Sequence, residues 1–423
     1  MEVKDMKSII GMKSMHDFNY NGKTVLLRVD INSPLDPVTK KIVNTNRIDM
    51  SLPTIRYILE QNAKLAIIAH QGDTLDYHNL IPMEEHAQIL SRKLGREIKY
   101  IDDVAGPAAQ QAVRSLKPGE AILLGNLRYL TEEISTFEDA VKLKPEEMLN
   151  TYLVRNLAPL ADFYVNDAFA AAHRNAPSMV AFQELLPTAA GDLMMKEITA
   201  LTRVMECPEK PSIFVLGGAK ISDAFGMMKQ VLMNGTADKI LACGVTGNVM
   251  LMAKGYSIGA ANEKFIKDRS LDVFIKPAME YLRDYPEKIV YPVDLAYEKD
   301  GERKEIGIED LPMDEPAMDI GSKTVEIFKA EIAKAGTIFV NGPAGVYENK
   351  LFETGTREIW NAIADAKGYS VIGGGDTVSA AQRFIDTKKI NYVCTAGGAM
   401  VRFLSGKQLP LIEAMRKAAR KDA

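Results

Sequence analysis

Short apolar, β-branched runs alternate with longer amphipathic segments over nearly the whole chain. In the first half the runs are TVLLRVDIN (24–32), LAIIAHQG (65–72), AILLGNLR (121–128) and DFYVNDAF (162–169). In the second half they are SIFVLGGAK (212–220), ILACGVTGN (240–248), TIFVNGPAG (337–345), YSVIGGGDT (369–377) and NYVCTAGGA (391–399). Between them lie segments of helical spacing such as 83–95, where Met83, Ala87, Leu90 and Leu94 share a face and Gly95 is placed to end the helix. This alternation predicts parallel sheet covered by helices on both faces. With 423 residues the chain exceeds one ordinary core, so two domains are expected. The boundary falls between Leu186 and Pro211, where the pattern reads as a loop, one helix of about five turns and a Pro-bracketed exit.

Ligands of open α/β sheets bind beyond the carboxyl ends of the strands, so the residues placed there are informative. The first half ends its strands with Arg28, Asp30 and Asn32, with His70, with Asn126 and Arg128, and with Asn166 and Asp167, followed by His173 and Arg174. Such donors and charges suit a small anionic ligand. The second half ends its strands in glycine: Gly217-Gly218, Gly244 and Gly247, Gly342 and Gly345, Gly373-Gly374-Gly375, and Gly397-Gly398. Glycines let backbone N–H groups approach phosphates, and five such turns in one half-chain exceed what leaving a strand requires. In GGGDT, Thr377 is expected to cap a helix, and Asp376 either caps it or holds a metal bound to phosphates. Neither G-x-x-x-x-G-K-[ST] nor G-x-G-x-x-G after a strand is present.

Charge and cysteine content narrow the function classes. Lys and Arg number 52 against 56 Asp and Glu, a formal net charge of -4, so no general basic field attracts nucleic acid or anionic lipid. Cys207, Cys243 and Cys394 lack metal or redox spacing and read as small buried residues. No apolar run reaches the roughly 18 residues of a membrane span, the N-terminus lacks a signal-peptide core, and a cytoplasmic location is expected. The basic C-terminal stretch KQLPLIEAMRKAARKDA reads as a surface helix.

Taken in order and spacing, RVDINSPL (28–35), GNLRY (125–129), YVNDAFAAAHR (164–174), LGGAKISD (216–223), VNGPAGVYE (340–348), IGGGDT (372–377) and AGGA (396–399) resemble the phosphoglycerate kinase family over essentially the entire chain. The wording of SPLDP, AHQG and DDVAGPAA is closest to archaeal members. The resemblance implies two doubly wound, Rossmann-like α/β lobes joined by a helix and closing about a hinge. It divides the chain into an acid-binding lobe (1–187), an interdomain helix (188–208), a nucleotide-binding lobe (209–402) and a tail (403–423) that returns to the first lobe.

The resemblance also implies the activity: reversible phosphoryl transfer between ATP and the carboxylate of 3-phospho-D-glycerate, with Mg²⁺, as in glycolysis and gluconeogenesis, by a monomer. Carried over by position, Asp30, Asn32, Arg47, His70, Arg128 and Arg174 bind the acid, and Arg47, Lys220, Gly374 and Gly375 stabilise the group in flight. Gly217, Gly218, Lys220, Gly244, Asn341, Pro343, Glu348, Gly375, Asp376 and Thr377 hold the nucleotide, with Asp376 at the metal. A carboxylate nucleophile, with a pKa of about 4, needs no general base, so positioning and cations suffice.

Three positions depart from the family pattern. Asp73 stands where an arginine is expected, Ala224 where a further lysine is common, and Gly125 where a glutamate often precedes the Asn. His78, Lys229 and Arg155 are candidates to replace the lost charge. The departures leave open a relative that phosphorylates another small carboxylic acid, and a catalytically weak nucleotide-binding protein.

Overall fold

The computed structural model describes residues 3–72 and 77–421. Residues 1–199 with 408–423 form one compact unit and residues 200–407 another, the division falling within the helix Asp192–Glu206.

The first unit is built on six parallel strands: β1 (Thr24–Arg28), β2 (Lys64–Ile68), β3 (Ile98–Tyr100), β4 (Ala121–Leu123), β5 (Phe163–Asn166) and β6 (Thr188–Ala190). Their order across the sheet is β3-β4-β2-β1-β5-β6. The chain winds outward from β1 in both directions, which puts the topological switch beside β1, where Val29 to Ser33 emerge. Val25, Leu27, Ile55, Ile58, Leu65, Ile67 and Leu90 belong to the core on one face of this sheet. The segment expected at 83–95 is the helix Glu84–Leu94, closed by Gly95 in the left-handed conformation at φ 64°.

The C-terminal helix Pro410–Lys421 belongs to this unit and buries Leu411, Ile412 and Met415. Its basic face is not simply solvated: Lys417 and Lys421 both pair with Glu184, and Lys417 also with Glu146.

The second unit repeats the arrangement with β7 (Ser212–Leu216), β8 (Lys239–Ala242), β9 (Ile289–Val290), β13 (Thr337–Asn341), β14 (Tyr369–Ile372) and β15 (Tyr392–Val393), in the order β15-β14-β13-β7-β8-β9. All five residues of β7 are buried, as a parallel strand covered on both faces requires. The switch here lies between β7 and β13.

This unit also holds a second, antiparallel sheet, not expected from the apolar runs, of β10 (Asp294–Lys299), β11 (Glu302–Gly307) and β12 (Asp319–Ile320). Its signal was the Asp300-Gly301 pair, which turns β10 into β11 with φ values of 54° and 78°, the two positive φ angles of a type I′ hairpin. The linking helix, Asp192–Glu206, is about four turns rather than five, because Thr188–Ala190 is spent on β6.

Candidate active site

In the first unit Arg28 ends β1 almost fully buried, at 3% exposure. Its Nη2 donates to His70 Nδ1 at 2.9 Å, its Nε to Ser178 Oγ at 3.3 Å, and its Nη1 to the Val29 carbonyl. Arginine has only donors, so His70 Nδ1 is an acceptor and the ring proton sits on Nε2. Burial, with Arg28, Arg128, Arg47 and Arg174 around it, holds His70 well below the ordinary imidazole value, so the ring is neutral at working pH.

Behind Arg28, Ser178 donates from N and Oγ to the two oxygens of Glu133, at 2.7 and 2.6 Å. Ser178 Oγ accepts from Arg28 and donates to Glu133, so both Glu133 oxygens serve as acceptors. Burial raises the Glu133 pKa, opposed by the Ser178 bonds and Arg28. Glu133 and Ser178 carried no sequence signal; only the fold brings them under a strand-end arginine.

Asp30 receives Arg47 Nη1 at 2.9 and 3.2 Å, with Arg47 reaching in from the start of the helix Asn46–Glu60. Asn32 Oδ1 accepts from Gly72 N at 3.0 Å, which ties the exit of β1 to that of β2. Gln71 strengthens this tie: it accepts from Ser33 N at 2.9 Å and from His86 at 3.0 Å, and donates to Ser33 O at 2.9 Å. Asn32, Ser33, Arg47, Gln71, Gly72 and Asn79 line a pocket of about 310 Å³.

Arg174 is held from one side by Glu138 at 2.6 Å, while its buried Nη2 has no hydrogen-bond partner among the described residues. Arg128 follows Asn126, whose Oδ1 caps the turn Leu127–Tyr129 through Arg128 N.

In the second unit a cavity of about 370 Å³ opens at the switch between β7 and β13. Gly218, Gly244, Pro343 and Ala344 form its floor side; Leu295, Pro316, Met318, Asp319 and Ile320, largely from the unforeseen antiparallel sheet, line it as well, as do Phe265 and Glu348. Arg303 of β11 fixes Asp319 with a 2.9 Å ion pair. Asn262 is saturated by backbone, donating to Ile258 O and Glu315 O and accepting from Ala317 N. The cavity is mainly apolar, with Glu348 and Asp376 as its acidic lining groups beside buried Asp319.

Asp376 lies in the first turn of the helix Gly375–Phe384, its carboxylate 3.5 Å from Lys220 Nζ, both side chains well exposed. Neither caps that helix, and the expectation for Thr377 is corrected: its Oγ1 accepts from Gly342 N at 2.8 Å, so it stitches two strand exits together. Asn341 does the same, donating to Gly373 O at 2.8 Å.

The strand-end glycines divide into two kinds. A Cβ at Gly217 would lie 2.4 Å from Pro343 O and one at Gly342 2.2 Å from Gly217 O, so these two serve packing of the turns on one another, while one at Gly373 would lie 2.0 Å from Sδ of buried Met400. At Gly375 and Gly398 a Cβ would meet nothing within 4 Å. These face open space at the starts of the helices Gly375–Phe384 and Gly397–Leu404, where unpaired N–H groups favour an anion.

Among the described residues no group of three His, Cys, Asp or Glu is arranged to hold a metal ion. A single carboxylate beside a phosphate site is nevertheless what Mg²⁺ uses when phosphates and water complete its shell, and Asp376 fits that part.

Asp73, with Asp76, lies outside the described residues. Ala224 is fully buried in the helix Ile221–Met233, so its position does not present a side chain to the cavity. Lys229 is exposed nine residues beyond Lys220, about 14 Å along the helix, too far to replace a charge there. Arg155 is a surface residue near the Tyr152 ring, and His78 is exposed in the turn Tyr77–Asn79. Gly125 packs on the Asp103-Val104 backbone, where a Cβ would lie 3.0 Å from Asp103 C, so a larger residue there requires that backbone to shift by a few tenths of an ångström.

Comparison with known proteins agrees with this architecture. The phosphoglycerate kinase family model matches residues 15–407. The chain is 42% identical over 409 residues to the phosphoglycerate kinase of Methanothermus fervidus, covering 97% of this chain and 98% of that one. It is 43% identical over 415 residues to that of Thermococcus onnurineus, covering 96% of each. The crystal structure of phosphoglycerate kinase from Pyrococcus horikoshii superimposes with a TM-score of 0.84 at 39% identity, over 97% of this chain and 100% of that one. No helix among the described residues is long and apolar enough to cross a membrane. By sequence, fold and strand-end chemistry together, the chain belongs to the phosphoglycerate kinase family.

Proposed function

We propose that the protein transfers a phosphoryl group reversibly between ATP and the carboxylate of 3-phospho-D-glycerate, giving 1,3-bisphosphoglycerate and ADP. The observation that carries this reading is the division of chemistry between the units. One has arginines and a neutral histidine at its strand ends, and the other has an apolar slot that leads to Lys220, Asp376 and open helix starts.

In this mechanism the acid's carboxylate is already ionised and attacks without a general base. His70 donates Nε2–H to the acid's anionic groups, while Arg47, Arg128 and Arg174 balance its charge. Arg47 begins on Asp30, and exchanging that partner for the transferring group confines its charge to the reacting state. Lys220 and the N–H groups at Gly374 and Gly375 receive the charge on the equatorial oxygens. Mg²⁺, held by Asp376, would neutralise the nucleotide phosphates. Transfer between ligands held on separate units calls for closure that brings them together and excludes water.

The test is a coupled assay with Mg-ATP that compares 3-phosphoglycerate with 2-phosphoglycerate, glycerate and phosphorylated four-carbon acids. Turnover of roughly 10–1,000 per second on 3-phosphoglycerate is expected. Negligible turnover on it beside efficient use of another acid would refute the substrate assignment.

A further inference from the structure

Part of the positive charge around the acid pocket is already engaged. Arg47 is paired with Asp30, Arg174 with Glu138, and Arg28 reaches Glu133 through Ser178. His70 is neutral. A phosphorylated carboxylic acid brings about two negative charges on phosphate and one on carboxylate.

Residues 34–43 supply one more cation, Lys40. They fold back on themselves, with an antiparallel bridge between Leu35 and Ile42 and with Val43 N donating to Pro34 O at 3.0 Å. Asp36 fixes the tip by accepting from Val38 N and from Thr39 N and Oγ1, while Lys40 N donates to Asp36 O at 3.0 Å. This turn forces residue 40 into the left-handed region at φ 58°, where glycine is unstrained and lysine is not. Lys40 is half-buried, and its Nζ donates to Asn79 Oδ1 at 3.2 Å. Asn79 lines the acid pocket together with Arg47 and Asn32. Its place is fixed from the other side by Gly72, at φ 86°, where a Cβ would lie 2.5 Å from Asn79 O.

We propose that Lys40 is an acid-binding residue of this enzyme, an ammonium placed at the pocket rim to attract the substrate's anionic groups. Backbone strain held at a residue whose charged end bonds a pocket-lining side chain is a pattern found at functional positions. The assignment rests on 3-phosphoglycerate being the substrate.

The experiment compares wild type with Lys40→Gly, Lys40→Met and Lys40→Arg by titration calorimetry with 3-phosphoglycerate alone, by kcat and KM for both substrates, and by thermal unfolding. Lys40→Gly and Lys40→Met should each weaken 3-phosphoglycerate binding roughly fivefold at low salt, and the loss should shrink at high salt. KM for ATP should not move, and Lys40→Arg should stay within about twofold of wild type. Only Lys40→Gly relieves the backbone, so it alone should unfold at higher temperature than wild type. Unchanged 3-phosphoglycerate affinity in both neutral variants overturns the role of Lys40 and leaves the activity standing. A wild type with neither affinity for 3-phosphoglycerate nor turnover on it overturns both.

Discussion

Arg28 is the residue on which the first unit's site most depends, and Arg28→Met tests why. The side chain sits at 3% exposure and Glu133 at 4%, with Ser178 between them. Methionine keeps much of the length and removes the charge, which leaves the Glu133 carboxylate buried with only the Ser178 donors. Breaking a buried pair in this way costs about 3–5 kcal/mol, a large part of a stability of about 5–15 kcal/mol. For a unit of this size the midpoint should fall by roughly 10 °C.

The double variant Arg28→Met with Glu133→Gln removes the stranded charge and should recover about 2–3 kcal/mol of that loss. The assay is urea unfolding of the four proteins of the cycle, read for the coupling term. A parallel ¹⁵N spectrum of His70 should show the Nε2–H tautomer in wild type and its loss in Arg28→Met. Additive single costs, with coupling under about 0.5 kcal/mol, would show that Glu133 and Arg28 do not act as a pair.

Two further outcomes follow from other parts of the molecule. Gly373→Ala places a Cβ 2.0 Å from Met400 Sδ and should cost about 1–3 kcal/mol of stability, whereas Gly375→Ala meets nothing and should fold as well as wild type or slightly better. Gly375→Ala should nevertheless lose at least about tenfold in kcat/KM for ATP, and full activity would show that its open face does not serve phosphates. His86, fully buried and donating to Gln71, has its pKa lowered to about 4 by burial. An unfolded imidazole takes up its proton near pH 6.5, so this group's stabilisation is complete above that pH and is lost as pH falls toward 4, by about 2–3 kcal/mol. His86→Gln should flatten that part of the stability profile, and a wild-type slope left intact in the variant would assign the effect elsewhere.

The sequence by itself determined the parallel strands and what stands at their ends, because both are local. A buried parallel strand is written as a continuous apolar run, and the polar or glycine residue that follows it lands where ligands bind, whatever the rest of the fold does. Arg28, His70, Lys220 and Asp376 were legible for that reason. What only tertiary structure decided are relations between distant residues. Nothing in Glu133, Ser178 or Glu138 marks them as partners of Arg28 and Arg174, since the pairing spans tens of residues or more and depends on which helix covers which strand.

The same holds for the glycines. All look alike in sequence, yet Gly217 and Gly342 are small because another turn presses on them, Gly373 because the buried Met400 side chain does, and Gly375 is small where the protein itself leaves room. The antiparallel sheet β10–β12 was hidden because β11, ERKEIG, is charged, nowhere buried and shows no apolar period, even though that sheet lines the second unit's cavity through Leu295, Asp319 and Ile320. Lys40 illustrates the limit most directly. As a residue in DPVTKK it is one surface lysine among many, and only the fixed turn at Asp36 brings its ammonium onto Asn79, which lines the pocket.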